Sequence, residues 1–445
     1  MTKIYLLLLL LTGLFSSSLF SQKINIKKLD GLFDALSINN KAMGSIAISK
    51  NGKVVYTRSI GLNNIYNKGK TAASEKTLYR IGSATKMFTA TMIFQLIEEH
   101  KISLSTKLDK FFPQIPNSRS ISIETLLNHK SGLYDYINDQ KDLTWITRPQ
   151  STKIIIEKIT KGKPNSLPNE KFKYSNSGYF LLANILLKVT QQGYNENLQK
   201  RICSKIQLRN TYSPLTNELK NNEAGSFSFA NGEWTKMTDI YFPNVVGIGD
   251  ILSTPSDLIK FDEALLGGQL ISEASLKSMK TFTDYGFGMG IMKVPFYKKV
   301  GFGHAGDTYG THSVVANFTS DSLTFAACIN GEVFPHNDIS IGILSICFNE
   351  KYEIPTFKVF GVSAETLNKY IGVYSSKVVP LKITITRKDN LLFAQATGQP
   401  SFPLEATEQD KFRYVQAGVN MEFNTDKNEL IMIQGGGSYF FSKDK

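Results

Sequence analysis

A chain of 445 residues is long enough for one large catalytic domain and a smaller second one. With 42% hydrophobic and 20% charged residues, the composition excludes an intrinsically disordered protein. The net charge of +13 is scattered, with no long basic run and no recognised motif; this argues against a nucleic-acid partner and leaves an anionic one, such as a cell-wall polymer, open.

Lys3, the apolar run from Ile4 to Leu14 and the serines after it have the pattern of a secretory signal peptide over residues 1–21, with cleavage expected after Ser21. The run is short for a bilayer and no later segment reaches spanning length, so no stable membrane insertion is expected. The expected location is periplasmic or secreted. Cys203, Cys328 and Cys347 are odd in number, so at least one stays unpaired within the chain. Cys328 and Cys347 lie in apolar segments and read as buried small hydrophobes.

Residues 24–37 have helical spacing. GSIAISKNGKVVYTRS alternates around Asn51-Gly52, a hairpin signal. A helix hydrophobic nearly all round follows from Met87. Residues 100–240 read as helical and loopy. In SIETLLNHKSGL, Ser122 is the expected cap and Gly132 the stop. A further helix is expected from about Ser177 to Gly193. STPSDLIKFDEALLGG combines a Thr254 cap, Pro255 in the first turn, Leu258, Phe261 and Leu265 on one face, and Gly267 at the end.

From Val300 the pattern turns β-like in VGFGHAG, THSVVANF and SLTFAACIN, and SIGILSICF reads as a helix returning over the sheet. Secondary elements gathered from both ends suggest one mixed α+β domain with a helical insertion. After a linker at 353–364, six short alternating runs (LKITIT, LLFAQAT, FRYVQ, MEFNT, ELIMIQ and SYFFS) predict a small antiparallel barrel or sandwich over 365–445.

The chemistry concentrates around Ser83 and Lys86 in YRIGSATKMFTATMIF. Positions i and i+3 share a helix face, so the lysine can reach the serine. Burial makes a lysine proton easier to lose, and a helix N-terminus favours negative charge on the serine. That is nucleophile activation by an adjacent base. The alternative is a lysine snorkelling off a helix end. The spacing alone means little, since Ser442 and Lys445 repeat it in SKDK.

Further stretches narrow the choice. YRIGSATKMFTA, ETLLNHKSGL, KFKYSNSGYFLLANIL, GIGDILSTPSDLIKF and GHAGDTYGTHS follow one another in an order that resembles the serine β-lactamase and penicillin-binding-protein family, in its class C-like branch of DD-peptidases, D-aminopeptidases and esterases. The resemblance covers about residues 40–350. It implies a β-lactamase-like α/β/α sandwich with a central antiparallel sheet over 22–352, and the tail resembles a lipocalin-like barrel. It also implies that Ser83 is the acylated nucleophile, Lys86 part of its base and Tyr174 the second proton handler. Asn176 would hold Lys86 and a substrate carbonyl, and Gly306 would let the strand edge approach the substrate. The backbone N–H groups of Ser83 and Asp307 would form the oxyanion hole. The bland readings remain a core tyrosine at 174 and a helix cap at Asn176.

His304 stands where better-known members carry the lysine of Lys-Thr-Gly, and the resemblance implies that it would bind substrate by supplying a donor or a positive charge; Ala305 replaces the threonine. Ala305 and Asp307 together weaken the case for binding a free carboxylate. His129 reads as packing, and His312 reads as structural or supporting. His100 and His336 attract no assignment. No metal-ligand spacing or phosphate loop is present, so neither metal nor cofactor is expected.

The expected function is an exported serine hydrolase acting through an acyl-enzyme on Ser83. A peptidase or amidase of the D-alanyl-D-alanine carboxypeptidase or D-aminopeptidase kind comes first and an esterase second, with β-lactamase activity a weaker reading and a non-catalytic binding or sensor protein a further alternative. The expected partner is a small-molecule, peptide or ester substrate, and a cell-wall source stays open.

Overall fold

Asn51 and Gly52 carry φ of 53° and 71°, the two consecutive left-handed residues that a tight hairpin turn requires. They join β1 (Ala42–Lys50) to β2 (Lys53–Ile60), as the alternation predicts. The computed structural model describes residues 23–444 apart from 67–68, 140, 143, 221, 231, 358–359, 389–390, 400, 415–416 and 435–436; the expected signal segment lies outside the described residues.

α1 (Ile26–Ile38) precedes the hairpin, and α2 (Thr85–Glu98) follows the Ser83 turn. α3 (Ile123–Leu127) starts at the Ser122 cap as expected but ends well before Gly132. The helix ends at Leu127, and His129 two residues on takes φ 60°, a left-handed conformation that does not continue a helix. α4 (Asn176–Thr190) is capped by Ser175 and closed by Gln191 in the left-handed region; Gly193 instead caps the next short helix. α5 (Pro255–Leu266) has the predicted Thr254 cap, and Leu258, Phe261 and Leu265 are all buried.

Four strands complete the sheet: β3 (Met292–Phe296), β4 (Lys299–Asp307), β5 (His312–Phe318) and β6 (Leu323–Glu332). The order is β2-β1-β6-β5-β4-β3 and every one of these pairings is antiparallel. A second hairpin, Phe227–Ala230 with Glu233–Lys236, touches the sheet through Phe227 and Gly331; it interrupts a region that the sequence reads as helical and loopy. α1 and α6 (His336–Cys347) cover one face around Phe33, Ile46, Phe325 and Ile343. α2, α4 and α5 cover the other, where Phe88 and Phe261 stack with ring centroids 3.6 Å apart. The result is the expected α/β/α sandwich.

α7 (Ala364–Tyr370) then leads into a closed eight-stranded barrel. Two of its strands, Gly372–Ser375 and Phe402–Glu408, escape the sequence reading. The first is four residues long; the second, FPLEATE, alternates Phe402, Leu404 and Ala406 toward the core, but Pro403 within the run weakens a strand reading. Both are held by closure of the ladder on each side. Side chains such as Ile385, Leu404, Phe412 and Leu430 fill the barrel core. The three cysteines are buried and unpaired. No helix among the described residues is long and apolar enough to cross a membrane.

Candidate active site

Ser83 sits in a single 3-10 turn, Gly82–Ala84, that opens directly into α2. The following turn carries Lys86, which is fully buried. Lys86 Nζ donates to Ser83 Oγ at 2.9 Å, to Asn176 Oδ1 at 2.9 Å and to the Ile248 carbonyl at 3.2 Å. Burial lowers its pKa to about 7, against the opposing pull of Asp135. Two of its three partners can only accept, and Ser83 alone can also donate. A neutral Lys86 therefore keeps its two N–H bonds on Asn176 and Ile248 and turns its lone pair toward the serine. The structure brings Lys86 into the contact with Ser83 that the sequence spacing suggests.

Tyr174 precedes the Ser175 cap of α4 and hydrogen-bonds with Ser83. Its ring lies 4.9 Å from Lys86 Nζ and stacks on His129 with centroids 4.4 Å apart. Burial pushes its hydroxyl pKa well above the ordinary tyrosine value, with the Ser83 bond pulling the other way, so the phenol keeps its proton at neutral pH. His129, read from sequence as packing, holds this segment: its Nδ1 accepts the Ser175 N–H at 3.1 Å.

Asn176 is the first residue of α4, not its cap. Its backbone N–H donates to Asp135 Oδ2 at 2.6 Å, and Asp135 Oδ1 also accepts the N–H groups of Ile137 and Asn138. Asp135 thus fixes the loop beside the nucleophile. The sequence reading missed it; its one signal was an aspartate able to form an Asx turn just after Ser131-Gly132.

The strand β4 passes against the Ser83 turn at backbone distance. A Cβ at Gly306 would lie 2.0 Å from the Ile81 carbonyl and 2.6 Å from Ser83 N, and one at Gly82 would lie 2.7 Å from Asp307 N. Gly82 also needs its φ of 49°. Glycine on both sides brings the N–H groups of Ser83 and Asp307 to the same edge of the cleft, as two donors to a single oxyanion would be.

Ser83, Tyr174, Asn176 and Asp307 line a cleft of about 250 Å³ with Ile137, Ile240, Val245, Ile248 and Tyr309. His304 does not line it. Its side chain is buried, and Nδ1 donates to the Ala305 carbonyl. Burial first, and then the nearby Lys86, lowers its pKa to about 4, so the imidazole is neutral at pH 7. Among the described lining residues Asp307 is the charged one. Burial works to raise the Asp307 pKa, but the bond from His312 and the surrounding imidazoles hold it below the usual carboxylate value. The cleft therefore presents a negative rim and no cation.

The whole-chain comparisons agree with this geometry. The Beta-lactamase family model matches residues 30–344. The chain is 25% identical to a penicillin-binding protein of Bacillus subtilis (strain 168), over 92% of this chain and 97% of that one. It is 28% identical to the teichoic acid D-alanine hydrolase of Staphylococcus aureus over 53% of this chain, and spans 56% of that protein. Among solved structures, the D-amino acid amidase of Ochrobactrum anthropi SV3 superposes with a TM-score of 0.65 at 22% identity, covering 73% of this chain and 99% of that one. The octameric penicillin-binding protein homologue of Pyrococcus abyssi superposes with a TM-score of 0.67 at 22% identity, covering 94% and 100%. These relatives and the site make the protein a serine hydrolase of the peptidase, amidase or esterase kind, and the chain belongs to the Beta-lactamase family.

Proposed function

We propose that the protein is an exported hydrolase of amides or peptides of D-amino acids, working through an acyl-enzyme on Ser83. The observation that carries this reading is the sharing of Ser83 between Lys86 and Tyr174, one group near neutrality and the other held protonated. An amide needs both a base for the nucleophile and an acid for the departing nitrogen.

In acylation the Ser83 Oγ bonds to the substrate carbonyl carbon while its proton passes to Lys86. The N–H groups of Ser83 and Asp307 take the developing oxyanion. The C–N bond breaks as Tyr174 gives its proton to the leaving nitrogen, and the proton held by Lys86 restores the phenol. Water then gives up a proton to the same pair and attacks the acyl carbon, and that proton passes to Ser83 Oγ as its bond to the acyl carbon breaks. The D-configuration is supported by the names of the relatives, and export by the N-terminal pattern of the sequence.

The cleft favours the D-aminopeptidase-like form of this reading over the carboxypeptidase form. A neutral His304, Ala305 in place of a hydroxyl residue and an ionised Asp307 offer a substrate carboxylate no cation. A free amino group suits the same rim. The esterase reading draws on the same missing carboxylate site, since an ester substrate need carry no free carboxylate.

Hydrolysis of D-alanine amide, a D-alanyl ester and a D-Ala-D-Ala peptide would be compared for the wild type and Ser83→Ala. The expected order places the amide and the ester well above the carboxylate-ended peptide, with all activity lost in the variant. Turnover of the ester alone would move the assignment to an esterase, and turnover retained by Ser83→Ala would remove Ser83 as nucleophile.

A further inference from the structure

Asp307 ends β4, and His312 begins β5 directly opposite it in the ladder. Glu332 ends β6 and His336 opens α6. Four side chains from four places in the sequence meet at this corner of the sheet. His312 Nδ1 lies 2.7 Å from Asp307 Oδ1, and its Nε2 lies 3.5 Å from Glu332 Oε1. His336 Nδ1 lies 3.0 Å from Glu332 Oε2. One carboxylate thus stands against one nitrogen of each imidazole, and the other nitrogen of His312 meets Asp307.

One donor atom each from Asp307, His312 and His336 lies within 4.8 Å of the other two. We propose that Asp307, His312 and His336 bind one divalent transition-metal ion of the zinc class, with Glu332 orienting both imidazoles from behind. Two imidazoles and a carboxylate suit zinc, copper or nickel and suit calcium or magnesium poorly. Histidines that hold such ions commonly donate their second N–H to a carboxylate, the position Glu332 occupies. Three protein ligands leave a coordination position for water or another small ligand. Asp307 is exposed and both histidines are partly so, which gives an ion access.

The two rings now stack, 8° from parallel with centroids 4.1 Å apart. An ion lies in the plane of each ring that binds it, so one ring must turn. His336, with 41% of its side chain exposed, has room to do so. The sequence shows no metal spacing because the ligands come from two strands and a helix.

Asp307 also lines the cleft. An ion on its carboxylate turns the negative rim positive, so on the proposed reading zinc slows turnover of a substrate with a free amino group.

Zinc chloride would be titrated by calorimetry into the full chain after chelator treatment. One bound ion per chain is expected. His336→Ala and Asp307→Asn should each weaken binding at least tenfold, and Glu332→Gln by about tenfold. No binding to the wild type, or unchanged binding in both ligand variants, would overturn the site. Turnover of D-alanine amide with saturating zinc should fall in the wild type and not in His336→Ala; equal inhibition of both would overturn the link to the cleft. The calorimetry decides the metal site even if the amide proves not to be a substrate.

Discussion

Fully buried Lys86 places its Nζ 2.9 Å from Ser83 Oγ at the wall of the cleft, with Asn176 and the Ile248 carbonyl taking its other bonds. On the proposed reading the lysine acts as a base because of where it is buried. With its pKa lowered to about 7, it holds a proton below neutrality and is free to accept one above. kcat/KM should therefore rise as pH rises through about 7 and then level off. Tyr174 titrates far higher, so it sets no falling limb at moderately alkaline pH. A rate profile from pH 5 to 9 checks this, and a flat profile would exclude Lys86 as the titrating base.

The same burial predicts a stability effect. Lys86 binds its proton less tightly in the folded chain, at about 7, than in the unfolded chain, at about 10.5. Between these values the unfolded chain holds more protons, so the lysine penalises the fold fully below pH 7 and progressively less above it. Lys86→Met removes that dependence. The gain in stability of the variant over the wild type should shrink by about 2–3 kcal/mol between pH 6 and pH 9, at 1.36 kcal/mol per decade. Denaturant unfolding at the two pH values measures it.

The legibility of this site in the sequence follows how local each signal is. Ser83 and Lys86 are three residues apart on one turn, and the hairpin at Asn51-Gly52 and the cap at Thr254 are equally local. The central antiparallel sheet was legible through the family resemblance and the barrel through alternation, while FPLEATE, which alternates but carries Pro403, needed its neighbours to become a strand. Asp135 acts on Asn176 across 41 residues of chain, and Glu332 joins His312 to His336 only after three elements have docked. His304 was read by its place in a motif; its burial, which makes it neutral and removes it from the cleft, depends on the packed interior.

Gly306→Ala tests the close approach of strand and nucleophile. The added methyl would meet the Ile81 carbonyl at 2.0 Å and Ser83 N at 2.6 Å, and both are backbone atoms that cannot rotate away. The strand edge must move back, taking the Asp307 N–H with it. Loss of one oxyanion donor costs about 10²–10³ in rate, so kcat should fall by that order. The circular dichroism spectrum should stay that of the wild type. Near-normal kcat would show that the second donor lies elsewhere.

Tyr174→Phe separates the acid from the base. The substitution keeps the ring that stacks on His129 and faces Lys86, and removes only the hydroxyl bonded to Ser83. Lys86 can still take the serine proton, so attack on the carbonyl persists. What is lost is the proton for the leaving group. An amine departs poorly without one, whereas an activated phenol departs as its anion. General acid catalysis contributes about 10²–10⁴ in rate, so the amide kcat should fall within that range. Hydrolysis of a p-nitrophenyl ester should fall far less, and the rising pH limb near 7 should remain, because it belongs to Lys86. Equal losses on both substrates would mean that Tyr174 acts before the leaving group departs, as part of the base. Unchanged amide turnover would remove Tyr174 from the proton path and leave Lys86 to carry the proton both ways.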